Sequence, residues 1–144
     1  MIHQHLPSDP RIVDEVFNVV AKPGLEDVGW LLGMVAVYGK SPEELKGFTW
    51  NEDNSINLQS KKRPVRPLHP QWVFIFQLKE KQPFTRKSRW NPLVARLDKA
   101  VDEEKINLSI DALLLAHKIR KVYYTPLRQQ KRFESLALAS ACSS

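Results

Sequence analysis

The chain has 144 residues, which is enough for one domain with a hydrophobic core. Hydrophobic residues make up 42% and charged residues 26%, the balance of an ordinary globular protein, which argues against wholesale disorder. Lys and Arg number 22 against 16 Asp and Glu, and the resulting net charge of +6 favours a polyanionic partner.

The remaining compositional features concern location and cofactors. The single cysteine, Cys142, excludes an internal disulfide, which suits a reducing cytoplasm. No secretory leader follows Met1, and the longest apolar run is far shorter than the ~20 residues that cross a bilayer. The four histidines show no metal-ligand spacing. We therefore expect a cytoplasmic protein with no membrane partner, no metal and no cofactor.

The first predicted elements are three helices. Ser8-Asp9-Pro10 is a helix-start signal. The second helix, from about Leu25 to Tyr38, is apolar around nearly its whole circumference, which is typical of a helix buried in its domain. Gly39 predicts its end, since glycine accepts the left-handed conformation that a helix terminus often needs. Ser41-Pro42-Glu43-Glu44 predicts an N-cap and the first turn of a short third helix.

The second half of the chain is predicted to add a small sheet and more helices. Apolar and polar residues alternate between Phe48 and Leu58 around a polar turn, which predicts a β-hairpin. A third extended segment, Arg63 to Leu68, contains two prolines and is therefore predicted at a sheet edge. Further helices are predicted to start at Pro70 (with an apolar body to Leu78), at Asn91-Pro92 (ending near Lys105), after Ser109 (running towards Tyr124) and near Phe133. The predicted fold is mainly α with a small antiparallel β-sheet, an α+β fold.

Basic residues form three groups on separate predicted elements. Clusters on different elements can line one groove for the phosphates of a nucleic acid. They can equally be three unrelated solvated faces, so the charge pattern leaves both interpretations open. The groups are Lys61, Lys62, Arg63 and Arg66; Arg86, Lys87 and Arg89; and Lys118, Arg120, Lys121, Arg128, Lys131 and Arg132.

Three motifs carry a resemblance to a known family. Tyr38-Gly39-Lys40-Ser41-Pro42-Glu43-Glu44-Leu45 resembles the Tyr-Gly-Leu-Arg-x-x-Glu-Leu box of the tyrosine recombinases, the phage-integrase family. Pro67-Leu68-His69-Pro70-Gln71-Trp72 resembles the family's Pro-Leu-x-Pro-x-Trp, and His117-Lys118-Ile119-Arg120 its His-x-x-Arg helix opening. The motifs follow the family's order from about residue 8 to residue 125. The resemblance therefore implies a single domain over residues 1–144 with the fold of the recombinase catalytic domain.

The family's reaction is phosphoryl transfer from DNA to a tyrosine, in which two arginines, a histidine and a lysine hold and neutralise the phosphate. The resemblance assigns the histidine to His117 and the second arginine to Arg120. The position of the first arginine is occupied by Ser41, which has no charge. The family's lysine falls on Gln59. Lys61 or Lys62 replaces it only if the hairpin is shorter than in the family.

Two further parts of the recombinase machinery are expected to be missing. The family has a Gly-His box and then the nucleophilic tyrosine near its C-terminus, whereas residues 136–143 lack that pair and no tyrosine follows. Tyr123 and Tyr124 lie on the predicted His-x-x-Arg helix and are interpreted as core or flanking residues. The N-terminal module with which the family clasps the far side of the duplex is also expected to be absent.

The resemblance and the missing residues together predict a DNA-binding relative of the site-specific recombinases that is catalytically inactive. Its partner would be double-stranded DNA, contacted mainly at phosphates by the basic residues named above. One alternative is a recombinase subunit completed in trans by the tyrosine of another recombinase subunit. A second alternative is a protein-interaction module, or a decaying remnant, with no DNA role. The interpretations differ in whether Lys62, Arg66, Arg89, Arg120 and Arg128 share one concave face.

Overall fold

Helices dominate the fold, and one small antiparallel sheet accompanies them. The computed structural model describes residues 6–83 and 87–122. A mainly α fold with a small antiparallel sheet is therefore confirmed. The elements are α1 (Asp9–Val20), α2 (Glu26–Tyr38), α3 (Pro42–Leu45), β1 (Thr49–Trp50), β2 (Ile56–Asn57), α4 (Pro70–Ile75), a 3-10 turn (Lys87–Arg89), α5 (Trp90–Asp102) and α6 (residues 110–122).

The helix α1 starts at the predicted signal and packs along α2. The Ser8 side chain accepts a hydrogen bond from the Arg11 backbone amide at 3.3 Å, as expected of an N-cap. The two helices approach closely where Gly29 of α2 faces Val20. A Cβ atom at Gly29 would lie only 2.9 Å from the Val20 backbone nitrogen, so a side chain there would force the helices apart.

The helix α2 is the centre of the core. Every residue from Val28 to Tyr38 is buried, which explains the apolar circumference seen in the sequence. The indole N–H of Trp30 donates a hydrogen bond to the Leu78 carbonyl oxygen at 2.8 Å and so remains satisfied inside the core. The helix ends as predicted, with Gly39 in the left-handed conformation at φ +66°.

The short helix α3 has Ser41 as its N-cap, and Ser41 and Glu44 form a capping box. The Ser41 hydroxyl accepts from the Glu44 amide at 3.3 Å, and the Glu44 carboxylate accepts from the Ser41 amide at 3.1 Å. The indole of Trp90 then donates to the Pro42 carbonyl at 2.7 Å and fastens the start of α5 to α3. The hydroxyl and the amide of Ser41 are therefore both used in capping α3.

The predicted hairpin is present, but the third extended segment is reduced to one bridge. Strands β1 and β2 pair with Trp50 opposite Ile56. Val65 then exchanges two backbone hydrogen bonds with Ile56, at 2.8 and 2.9 Å. Its pairing stops there because Pro64 and Pro67, on either side, have no amide hydrogen to donate.

Two helices end earlier than predicted. The helix α4 stops at Ile75 rather than Leu78, because Gln77 adopts a positive φ of 52°, which a right-handed helix does not allow. Phe74 is consequently 68% exposed instead of contributing to an apolar helix body. The helix α5 stops at Asp102 rather than near Lys105, with Glu104 at φ 58°.

The last described helix starts at its predicted cap. The Ser109 hydroxyl accepts from the Ala112 amide at 3.0 Å and opens α6, which carries His117. The predicted core or flanking role of Tyr123 and Tyr124 and the predicted final helix near Phe133 lie outside the described residues.

Candidate functional site

The turn that ends α2 lies directly against His117 of α6. A Cβ atom built on Gly39 would lie well under 3.0 Å from the ring of His117, so a residue with a side chain would collide with the imidazole. His117 is 9% exposed, and its ring forms a hydrogen bond with the Val37 carbonyl oxygen. The two motifs that resemble the recombinase boxes therefore meet in space, with the imidazole packed on the left-handed glycine.

His117 is held in its neutral form. Burial, and after it the positive charges of Lys121 and Lys40, lower the pKa of its imidazole from 6.5 to about 4, while the hydrogen bond to Val37 opposes them. Because Nδ1 donates to the carbonyl in the neutral ring, Nε2 is an acceptor. That Nε2 is buried and has no hydrogen-bond partner among the residues that the structure describes.

Lys40 and Lys121 lie near this histidine, and Lys61 lies near Lys40; we refer to Lys40, Lys61 and Lys121 as the lysine cluster. Lys40 follows the left-handed glycine, Lys61 lies in the loop after β2, and Lys121 lies on α6 one turn after His117. Lys40 is half-buried, whereas Lys61 and Lys121 are exposed.

The members of the cluster repel one another. Contact with Lys61 lowers the pKa of the Lys40 ammonium below its ordinary value of 10.5, and burial and the charge of Lys121 add to the effect. Glu44 opposes it. The pKa of that carboxyl is itself lowered, first by hydrogen bonds from Ser41 and then by Lys40 and Lys61. Among the residues that the structure describes, Glu44 is the carboxylate that acts on Lys40, and an anion that entered the cluster would relieve the repulsion between the lysines.

Arg120 does not join the lysine cluster. One guanidinium nitrogen lies 3.1 Å from Oδ1 of Asp9, and another donates a hydrogen bond to the Pro7 carbonyl oxygen. The other carboxylate oxygen of Asp9 lies 3.6 Å from Nε2 of His69. Arg120 is only 19% exposed, and its charge is matched by Asp9, so it ties α6 to the start of α1.

The other predicted site residues are distributed as follows. Ser41 caps α3, and the amide of Gln59 lies against Gly47. Lys62, Arg63 and Arg66 are exposed on the loop that carries Lys61, and Lys118 and Arg89 are exposed on α6 and at the start of α5. Arg86, Arg128, Lys131 and Arg132 lie outside the described residues, as does the side chain of Lys87.

Two participants were not among the predicted site residues, Lys40 and Asp9. From the sequence, Lys40 can replace the missing first arginine only if the turn rotates. Its position directly after a left-handed glycine is nevertheless a usable signal, because the chain there leaves the end of a buried helix and the next side chain lies near the helix terminus. Asp9 had an evident local role as the first residue of α1. Nothing in the sequence connects it to Arg120, because that pairing depends on how α1 and α6 pack.

An open apolar groove of about 660 Å³ lies between α1, the start of α2 and the segment after α4. Phe17, Trp30, Ile75 and Phe76 form its apolar lining, and Glu26 and Glu80 lie among its polar residues. The lysine cluster contributes no residue to this lining, so the groove and the cluster are separate surfaces.

Comparisons of this chain with protein-family models, with curated proteins and with solved structures return no match. Within residues 6–83 and 87–122, no group of His, Cys, Asp and Glu side chains is arranged to hold a metal ion. Over the same residues, the helices are too short or too polar to cross a lipid bilayer.

Proposed function

We propose that this protein binds double-stranded DNA in the cytoplasm by gripping its phosphates with the lysine cluster, as a non-catalytic relative of the tyrosine recombinases. One observation carries the proposal. Lys61 and Lys121 lie near Lys40, and Lys40 and Lys121 lie near His117, at the turn where the resemblance to the recombinases would place the phosphate grip.

The charge and exposure of the cluster support a phosphate ligand. Lys61 and Lys121 are exposed, and Lys62, Arg63 and Arg66 extend the positive surface along the same loop. Lysines act as point charges on flexible stems, whereas arginines present a planar fork, so the cluster suits phosphate contacts that carry little base information. Binding by such contacts releases counterions and weakens steeply as salt rises.

The contacts of Ser41 and Arg120, the two positions that correspond to the family's arginines, support the non-catalytic part of the proposal. Ser41 is engaged in the capping box, and Arg120 is paired with Asp9. Phosphoryl transfer depends on donors preorganised around the charge that develops on the phosphate. Neither position offers a guanidinium to the lysine cluster. The lysines can therefore bind a phosphate, but the charge that develops on it during phosphoryl transfer is not stabilised by arginine.

The test is fluorescence anisotropy of a labelled duplex, titrated from low salt to about 200 mM. The logarithm of the wild-type association constant should fall linearly with the logarithm of the salt concentration. Lys121→Gln should weaken binding and reduce the slope by about one, the value expected for one phosphate contact. The matched control is Lys99→Gln on α5, which removes an exposed lysine that is paired with Glu103. No duplex binding at low salt, or equal losses for the two variants, would overturn the proposal.

The alternative of a subunit completed by another recombinase's tyrosine requires Arg120 to leave Asp9 and turn to the phosphate. It is recognised by a covalent protein–DNA adduct that forms only when both proteins are present and that Arg120→Gln abolishes. The interaction-module alternative is favoured instead if duplex binding is absent, since the apolar groove would then be the more distinctive surface of the molecule.

A further inference from the structure

The last described helix, α6, is apolar on two sides. Leu113 and Ala116 are buried against the rest of the fold. A second row of apolar residues, Leu115, Ile119 and Val122, lies away from them at the i, i+4 and i+7 spacing of one helical face. These three side chains are 40%, 45% and 66% exposed, and we refer to them as the outer face of α6.

The helix α5 shows the ordinary pattern of a surface helix in this fold. It buries Leu93 and Leu97 and exposes Asp98, Lys99 and Asp102. Single exposed apolar residues are common on proteins, whereas three in one row along about two helical turns mark a contact surface. Within the part of the chain that the structure describes, the outer face of α6 stays exposed, so its partner has to come from elsewhere.

The sequence that follows α6 has the chemistry needed to cover this face. Val122 is the last described residue of α6, and residues 123–144 continue directly from it. Pro126 is expected to stop the helix, which allows the chain to reverse direction. A further helix is predicted near Phe133, where Phe133, Leu136 and Ala137 recur at three- and four-residue spacing on one face.

The length and charge of this segment also match. The outer face of α6 rises by about 10 Å along the helix axis, and a helix of two turns that starts at Phe133 has the same rise. The connecting residues 123–132 reach up to about 33 Å when extended, which is ample for a return along α6. Glu134 is the only acidic residue in 123–144, and the exposed Lys118 borders the outer face, so opposite charges can meet at its edge.

The apolar groove between α1 and α2 is a poorer match for the same segment. Arg120 of α6 lies against Asp9 in the first turn of α1, whereas the groove is lined by Phe17, farther along α1. The helical rise from Asp9 to Phe17 is about 12 Å. The outer face, in contrast, includes Val122, the residue after which the segment begins.

We propose that residues 133–141 fold back along α6 and cover its outer face, with Phe133 and Leu136 packed against Ile119 and Val122. The contact forms within one chain, because the short connection keeps the segment at a high effective concentration beside α6. This inference goes beyond DNA binding and stands or falls independently of it.

The first experiment is a double-mutant cycle in the full chain, measured by urea denaturation. Ile119→Ala and Phe133→Ala should each lower the urea midpoint. The double variant should lose less than the sum of the two, because each truncation removes the partner of the other. The matched control is Leu138→Ala, which helical spacing places on another side of the segment, and its loss should add to that of Ile119→Ala. Additive losses for Ile119→Ala and Phe133→Ala would overturn the proposal.

The second experiment uses Cys142, the only cysteine of the chain, to carry a nitroxide spin label. In protein labelled with 15N, the nitroxide should broaden the amide resonances of α6. A variant that combines Phe133→Ser and Leu136→Ser should lose this broadening, whereas Leu138→Ser should keep it. Broadening that is equal in all three proteins would show that the tether alone brings the label near α6, which would overturn the proposal.

A mixed sample separates the intended contact from two other occupants. It combines 15N-labelled Cys142→Ser protein with spin-labelled protein that contains no 15N, so any broadening arises between molecules. None is expected. Broadening of α6 in this sample would assign the outer face to a second copy of the chain. In the singly labelled sample, broadening centred on Phe17 and Ile75 would place the segment in the apolar groove, and either result would overturn the proposal.

Discussion

His117 shows how one residue can fit a motif and still differ chemically from what the motif implies. The resemblance to the recombinases assigns it a direct role at the phosphate. Burial between α2 and α6 instead lowers the pKa of its imidazole to about 4, so the ring is neutral at pH 7. Any phosphate held nearby is therefore neutralised by the lysines, and the imidazole contributes hydrogen-bonding capacity without charge.

The depressed pKa of His117 predicts a loss of stability in acid. In the unfolded chain the imidazole takes its proton near pH 6.5, whereas in the folded protein it does so only near pH 4. Between these values the unfolded state binds more protons, so the free energy of unfolding falls as pH drops, by roughly 3 kcal/mol at most. Urea denaturation of the wild type and of His117→Gln at intervals from about pH 7 to pH 4 measures this term.

Comparing the two proteins isolates the histidine, because the carboxylates that titrate over the same range are common to both. The stability of the wild type relative to His117→Gln should decrease steadily through the interval. A difference that stays constant with pH would show that the folded protein does not resist protonation of this imidazole.

At the level of elements, most of the local sequence signals that predicted helix ends are confirmed; the exception is Asn91-Pro92, since α5 begins at Trp90 with Arg89 at the N-cap. Ser8, Gly39, Ser41 and Ser109 were all identified from the preferences of capping positions, which depend on a few neighbouring residues. The early end of α4 was not predictable in this way. Nothing about a glutamine at position 77 predicts a positive φ. The helix ends there, and the chain turns so that Leu78 packs in the core, where its carbonyl oxygen accepts a hydrogen bond from the Trp30 indole.

The candidate site was predictable only in part, for a related reason. The sequence marked Lys61, Lys121 and His117 as candidates on separate elements. Their convergence, and the central place of Lys40, depend on the packing of α6 against the end of α2, which is a tertiary property. The pairing of Arg120 with Asp9 is tertiary as well, and it removes from the site a residue that the motif would place there.

Gly39 offers a matched test of this junction between elements. Gly39→Ala places a Cβ atom both in the left-handed conformation and inside the ring of His117, whereas Gly24→Ala, at φ +80°, meets no atom within 4 Å. Both should lose about 1 kcal/mol or more from backbone strain. Gly39→Ala should lose about 1 to 3 kcal/mol beyond that from the collision. Thermal or urea denaturation gives the comparison, and equal losses in the two variants would contradict the contact between Gly39 and His117.

For the molecule as a whole, the ion pair between Asp9 and Arg120 joins regions that are far apart in the chain. It links the first turn of α1 to the end of the described part of α6, and the Pro7 carbonyl adds a second attachment. His69, in the segment before α4, lies against the same carboxylate. Arg120 therefore holds α6 against the start of α1.

This role predicts that stability and DNA binding respond differently at Arg120. Arg120→Gln should lower the free energy of unfolding by about 1 to 2 kcal/mol, because it leaves a partly buried carboxylate and a carbonyl unpaired. Its effect on duplex affinity should be smaller than that of Lys121→Gln. Denaturation and anisotropy on both variants test this, and adding Asp9→Asn completes a double-mutant cycle. A larger loss of affinity for Arg120→Gln than for Lys121→Gln would show that the guanidinium reaches the DNA.

The single bridge formed by Val65 has a consequence for how this protein can assemble. Both of its backbone groups are used by Ile56, so an incoming strand would have to pair with the neighbouring residues, and Pro64 has no amide hydrogen to donate. This border of the sheet is therefore a poor template for β-addition, either from a peptide or from another copy of the chain. Strand-mediated aggregation is disfavoured along it.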